Sequence, residues 1–140
     1  MKARGENSFM ADKKGIVDIS GLSSPPEKHE LEVANYFAGL GKDIKFIEPA
    51  RIKGAHTPDI EMDGIAWEIK CPKGKSKRTI ENNFRHAVRQ SHYIIFDLRH
   101  IGVSEKQCIA QLETEFGNRG YVKRLLVIKK DGTHVEFPKK

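Results

Sequence analysis

The sequence predicts a mixed α/β domain in which helices flank a mixed sheet. Three observations predict it. Asp63-Gly64 stands between two half-apolar runs, the signal of a two-residue hairpin. Tyr93-Ile94-Ile95-Phe96-Asp97-Leu98 is a near-continuous apolar run, as in a strand buried on both faces. Around these lie stretches with apolar residues at helical spacing. In chain order the elements read α-β-β-β-α-β-α-β-β.

Residues 1–23 read as a tail or linker, and residues 24–140 as the folded domain. Met1 to Lys14 is charged and polar with little periodicity, so it is expected to stay flexible. Ile16 to Ile19 reads as a short strand or a docking segment. Ser24-Pro25-Pro26-Glu27 reads as a capping box, with serine at the N-cap and glutamate at N3. That reading gives Glu27 to the cap. The helix then runs to about Leu40 and ends at Gly41. Its apolar face is Val33, Ala34, Phe37 and Leu40, while Glu32 points away. Glu30 falls near the middle of that face. A carboxylate there is costly unless it is paired or bound to a cation, which makes Glu30 a candidate site residue.

Ile44 to Ile47 reads as a strand, and Glu48 to Thr57 as a loop carrying Arg51, Lys53 and His56. The hairpin follows. A two-residue turn at Asp63-Gly64 fixes its register: Met62 faces Ile65, Glu61 faces Ala66, Ile60 faces Trp67 and Asp59 faces Glu68. Alternation places Ile60, Met62, Ile65, Trp67 and Ile69 on an apolar face. Asp59, Glu61, Glu68 and Lys70 fall on the other. Opposed carboxylates repel, and a bound cation turns that repulsion into attraction. Lys70 lies two residues past Glu68 on the same face, where its ammonium can balance the acids or steady a phosphoryl transition state. Two acids and a lysine in a defined register point to metal-dependent cleavage of phosphodiesters.

Cys71 to Lys77 reads as a loop. Lys73, Lys75, Lys77 and the following Arg78 lie beside the acids and are candidates to hold phosphates. A second helix runs from about Thr79 to His92, with Ile80, Phe84, Ala87, Val88 and Ser91 as its buried stripe. Asn83 and Gln90 sit on one border of that stripe, where they contact substrate or satisfy backbone groups. Arg85 and Arg89 face outward. After the buried strand, Ser104-Glu105-Lys106-Gln107 is a capping box for a third helix through about Phe116. Arg124–Lys130 and Thr133–Phe137 form a final hairpin around Asp131-Gly132.

The chain has 140 residues, enough for one domain with a sizeable core. A net charge of +6 favours a polyanionic partner. No run is long or apolar enough to span a membrane, and no signal peptide is expected. Cys71 and Cys108 have no metal-ligand spacing, and a disulfide between them is left open. The six histidines show no zinc spacing.

Pro58-Asp59, Glu68-Ile69-Lys70 and the helical Glu30 resemble the PD-(D/E)XK nuclease superfamily over roughly residues 25–100. The resemblance implies the core order α-β-β-β-α-β, here extended by a C-terminal helix and β-hairpin. It implies that Asp59 and Glu68 bind a divalent cation, Mg²⁺ or Mn²⁺, with the Ile69 carbonyl as a further ligand. Glu30 completes the metal site and Lys70 is the catalytic lysine. The runs Lys70–Ser76, Thr79–Asn83 and Ala87–Ser91 are similar to the C-terminal toxin nucleases of contact-dependent growth-inhibition (CdiA) systems. That similarity implies tRNA ahead of DNA as substrate and a cognate immunity protein. It also implies action in the bacterial cytoplasm, after delivery as part of a larger secreted protein. On RNA the 2′-hydroxyl opens a route that needs no metal. The alternatives are a DNA endonuclease of restriction or junction-resolving type and, less consistent with four intact site residues, a non-catalytic nucleic-acid binder.

Overall fold

The computed structural model describes residues 13–50, 52 and 55–139. The first twelve residues of the stretch Met1–Lys14 expected to be flexible, and the loop residues Arg51 and Lys53, lie outside the described residues. Among the described residues there are seven strands and three helices. In chain order they are β1 (Val17–Asp18), α1 (Lys28–Gly39), β2 (Ile44–Phe46), β3 (Ile60–Met62), β4 (Ile65–Lys70), α2 (Thr79–Ala87), β5 (Tyr93–Asp97), α3 (Glu105–Asn118), β6 (Arg124–Ile128) and β7 (His134–Phe137).

The strands form one mixed sheet in the order β1-β2-β3-β4-β5-β6-β7. β1 and β2 are parallel, as are β4, β5 and β6. β2–β3, β3–β4 and β6–β7 are antiparallel. Alternation along the strands sorts the core into two layers. Val33, Ala34 and Phe37 of α1 pack on Trp67, Ile69, Ile95 and Leu126. Ile80 and Phe84 of α2, with Cys108 and Leu112 of α3, pack on Ile94, Phe96, Leu125 and Val127 on the opposite face.

The β3–β4 hairpin has the predicted register, with Met62 opposite Ile65, Glu61 opposite Ala66 and Ile60 opposite Trp67. Asp63 and Gly64 both take positive φ, 56° and 74°, as a primed turn requires. The Asp59–Glu68 pairing is not formed. The ladder ends at Ile60, and the Asp59 amide donates to the Trp67 carbonyl at 2.9 Å. Trp67 thus faces two residues, the offset of a β-bulge. β4 also changes partner at this point. Residues 65–67 pair with β3 and residues 68–70 pair with β5.

α1 begins later than its sequence suggests. Its N-cap is Glu27, in an extended conformation with no side-chain cap bond, and Ser24 lies outside the helix. Pro26 holds Pro25 out of the helical region, so the chain cannot coil before that point. At the other end Gly41 takes φ 94°. Gly41 and Lys42 donate to the carbonyls of Ala38 and Phe37 in a Schellman arrangement. This turn carries Leu40 out of the core, leaving it 54% exposed rather than on the buried face. α2 stops at Ala87, short of His92. The Ser91 hydroxyl donates to the Ala66 carbonyl and accepts from the Tyr93 amide, turning the chain into β5.

Residues 13–23 are tied to the domain. Gly15 and Ile44 donate to the carbonyls of Ala38 and Ile16, and the Ile16 amide donates to Asp43. Cys71 and Cys108 are both free thiols. Among the described residues no helix is long and apolar enough to cross a membrane.

Candidate active site

The bulge at Asp59 positions the first acid. With the backbone ladder interrupted, Asp59 Oδ2 accepts the Ile69 amide at 2.8 Å, so a side chain replaces a main-chain partner. Glu68 and Lys70 share a face of β4 with the apolar Ile94 and Phe96 of β5 beside them. Glu68 is only 5% exposed. One of its oxygens, Oε2, lies 3.4 Å from the Lys70 ammonium. The other, Oε1, is buried with no hydrogen-bond partner. Glu30 reaches the same point from the first turn of α1. Asp59 lies within hydrogen-bonding reach of both Glu30 and Glu68.

Four of the residues predicted from sequence therefore converge: Glu30, Asp59, Glu68 and Lys70. Their electrostatics follow from that convergence. Burial pushes the Glu68 carboxyl up to about 8, and the negative charge of Asp59 adds to the rise while Lys70 opposes it. Burial pushes Glu30 up to about 7, again reinforced by Asp59. Glu30 and Glu68 thus hold their protons to higher pH than isolated glutamates, as crowded carboxylates do when a cation does not neutralise them.

Among the described residues no three His, Cys, Asp or Glu side chains are gathered as a ready-made metal cage. The donor set nevertheless fits a hard divalent cation. Glu68 offers an unpartnered buried oxygen, and the crowding that raises the proton affinity of Glu30 and Glu68 favours a cation there in the same way. Mg²⁺ needs only one or two carboxylates, because it keeps several of its waters. Ile69 contributes its amide to Asp59, and its side chain belongs to the core.

The remaining candidates separate into two groups. Lys73, Lys75, Lys77 and Arg78 are exposed, on a loop that is firmly held. The Gly74 carbonyl accepts the Gly102 amide at 3.0 Å, and the Lys77 carbonyl accepts Gln111 Nε2 at 3.2 Å. Asn83 takes the backbone role, donating Nδ2 to the Thr79 carbonyl at 2.8 Å. Gln90 lies half-buried past the end of α2, with Oε1 unpartnered.

A cleft of about 390 Å³ opens beside the acids. Glu30 and Asp59 line it, and so do Glu27 and Glu48, which sequence reasoning did not assign to the site. Glu27 was given to a capping box that does not form. Glu48 accepts the amide and hydroxyl of Ser23, a pairing 25 residues apart that no local pattern encodes. Asp97 was also missed. It is fully buried, and Arg99 grips both of its oxygens at 2.9 Å. Cys71 lies 4.0 Å from Asp97 Oδ2, so this pair braces the chain just beyond Lys70. An aspartate inside the apolar run Tyr93–Leu98 was the available signal.

None of the curated proteins compared with the chain matches it. Among solved structures, the chain is similar in fold to a chain of the CdiA-CT/CdiI toxin and immunity complex from Burkholderia pseudomallei. The TM-score is 0.65 at 19% identity, over 88% of this chain and 98% of that one. The profile of the family described as the contact-dependent growth inhibition CdiA C-terminal domain matches residues 56–134. That span holds Asp59, Glu68, Lys70 and the basic loop. It covers more than half of the chain, and the protein belongs to the CdiA C-terminal domain family.

Proposed function

We propose that this domain is a growth-inhibition toxin that works as a divalent-cation-dependent endonuclease of the PD-(D/E)XK kind, with tRNA as its leading substrate. The observation that carries the nuclease reading is Glu68. It is a buried carboxylate with one orphaned oxygen, held between the charge of Asp59 and the ammonium of Lys70. Such a group is expensive to maintain for stability alone.

Asp59, Glu68, Glu30 and the Ile69 carbonyl would hold Mg²⁺ or Mn²⁺, which when bound supplies Lewis-acid polarisation of a phosphate oxygen. Lys70 lies beside Glu68, placed to orient the attacking water or to donate to the scissile phosphate. An oxygen–phosphorus bond forms in line with the bond that breaks. On DNA the products are a 5′-phosphate and a 3′-hydroxyl. On RNA the neighbouring 2′-hydroxyl is a second nucleophile, and Lys70 can stabilise charge on that route without a metal. The preference for tRNA rests on the resemblance of the runs Lys70–Ser76, Thr79–Asn83 and Ala87–Ser91 to toxin nucleases, and the expectation of an immunity protein on the toxin and immunity pair in the similar structure. Delivery into a target cell's cytoplasm as the end of a longer secreted protein rests on the family alone.

The test incubates the protein with total tRNA and with plasmid DNA, in Mg²⁺ and in EDTA, beside Asp59→Ala and Lys70→Ala. The reading predicts cleavage of tRNA by the parent and a loss of at least ~100-fold in both variants. If neither nucleic acid is cut, or if the variants cut like the parent, the site assignment fails. Cleavage of plasmid but not tRNA would remove the tRNase assignment alone.

A further inference from the structure

The described arginines divide into two groups. Arg99 is paired with Asp97, Arg119 with Glu115 and Arg124 with Glu136, each at 2.7–2.9 Å. Arg78, Arg85 and Arg89 have no carboxylate partner among the described residues. All three are exposed. Arg78 caps α2, Asn82 and Arg85 follow at i+4 and i+7 in a stripe on the same face, and Arg89 lies at i+11 in the turn that closes the helix, where its amide donates to the His86 carbonyl. The stripe lies opposite Ile80, Phe84 and Ala87, the buried face of α2. Asn82 Oδ1 accepts Arg85 Nη2 at 2.8 Å, a neutral contact that orients the guanidinium and leaves its charge unopposed. From Lys73 to Arg89 there are six lysines and arginines against a single acid, Glu81.

The stripe begins at the end of the loop that leads from Lys70 into α2. Arg78 is the N-cap of α2, the helix carries Arg85 away from that loop, and Arg89 lies in the turn just past its end. α2 itself is about 14 Å long. Unpaired arginines repel one another, and a polyanion relieves that repulsion while releasing its own counterions. We infer that the Arg78–Asn82–Arg85–Arg89 stripe along α2 and the turns at its two ends is a track for a sugar-phosphate backbone, holding the substrate strand beyond the scissile position. Its contacts go to phosphates, so it sets affinity and register and does not read sequence. The inference deepens the proposed function and rests on it.

Binding of bulk tRNA is measured against salt concentration in a Glu68→Gln background, which silences cleavage and leaves the basic face intact. Arg85→Gln/Arg89→Gln is compared with Lys45→Gln/Lys139→Gln, which removes the same formal charge on β2 and just past β7. The stripe variant should lower the slope of log K against log salt by about 1.5 and weaken binding about tenfold or more at moderate salt. With Glu68 restored, its KM should rise while kcat at saturating tRNA stays near the parent's. The control should change the slope by much less. An unchanged slope in the stripe variant overturns the inference and leaves those arginines to an acidic protein surface. Equal losses in both variants also overturn it, because net charge alone would then explain the binding. Binding is read without turnover, so a parent that binds tRNA but never cuts it would count against the proposed function and not against the track.

Discussion

At Asp59 a single residue does two jobs. Its amide and carboxylate complete the hydrogen bonds of a broken ladder, and its charge raises the proton affinity of Glu30 and Glu68. Those acids sit near 7 and 8, above the value of 4.5 for an unperturbed glutamate. The folded chain therefore binds more protons than the unfolded chain between these limits. Stability from this source is fully present below about 4.5 and is lost as pH rises through 7 to 8. Thermal melting in EDTA should show the midpoint falling from pH 6 to pH 9, with Mg²⁺ restoring more of it at pH 9 than at pH 6. A midpoint that rises over that range contradicts the raised proton affinity of these two acids. Glu30 was legible because a carboxylate on an apolar helical stripe is anomalous whatever surrounds it. The bulge was not, because it depends on where the Asp59 side chain finds a donor across the hairpin.

Among the elements, the β3–β4 hairpin carries most of the site, and its turn is the most local signal in the chain. Gly64 holds φ 74°, where an L side chain is strained and no neighbour would clash with an added Cβ. Gly64→Ala should therefore cost about 1 kcal/mol in denaturant unfolding through backbone strain alone. No measurable cost would mean that the turn can relax and does not set the register. Turn residues and strand alternation made the hairpin readable because their causes lie within a dozen residues. Helix ends were less so. The Ser24 capping box failed because two prolines follow it, and Leu40 left the core because the Gly41 turn redirects the chain. α2 ends early for a tertiary reason, the grip of Ser91 on Ala66.

Across the whole molecule, the two core layers hold α1 on one side of the sheet and α2 on the other, and Glu30 of α1 meets Asp59, Glu68 and Lys70 where β4 changes partner. Acidic residues line the cleft on the α1 side of that point, and unpaired cations run along α2. Such a division suits a substrate whose phosphates lie on the basic side while one of them meets the acids. The order of elements and the mixed sheet followed from local patterns. The Asp97–Arg99 brace and the Ser23–Glu48 tie did not, because their partners meet only once the sheet is assembled or the chain has looped back. The most direct measurement of the central claim is the single-turnover rate of tRNA cleavage in Mg²⁺ by the parent and by Glu68→Gln. Glutamine keeps the shape of the neutral acid, so the metal-free variant should be more stable than the parent at pH 8. The account predicts a loss of at least ~100-fold in rate with a melting midpoint in EDTA no lower than the parent's. Cleavage by Glu68→Gln at the parent's rate would contradict it.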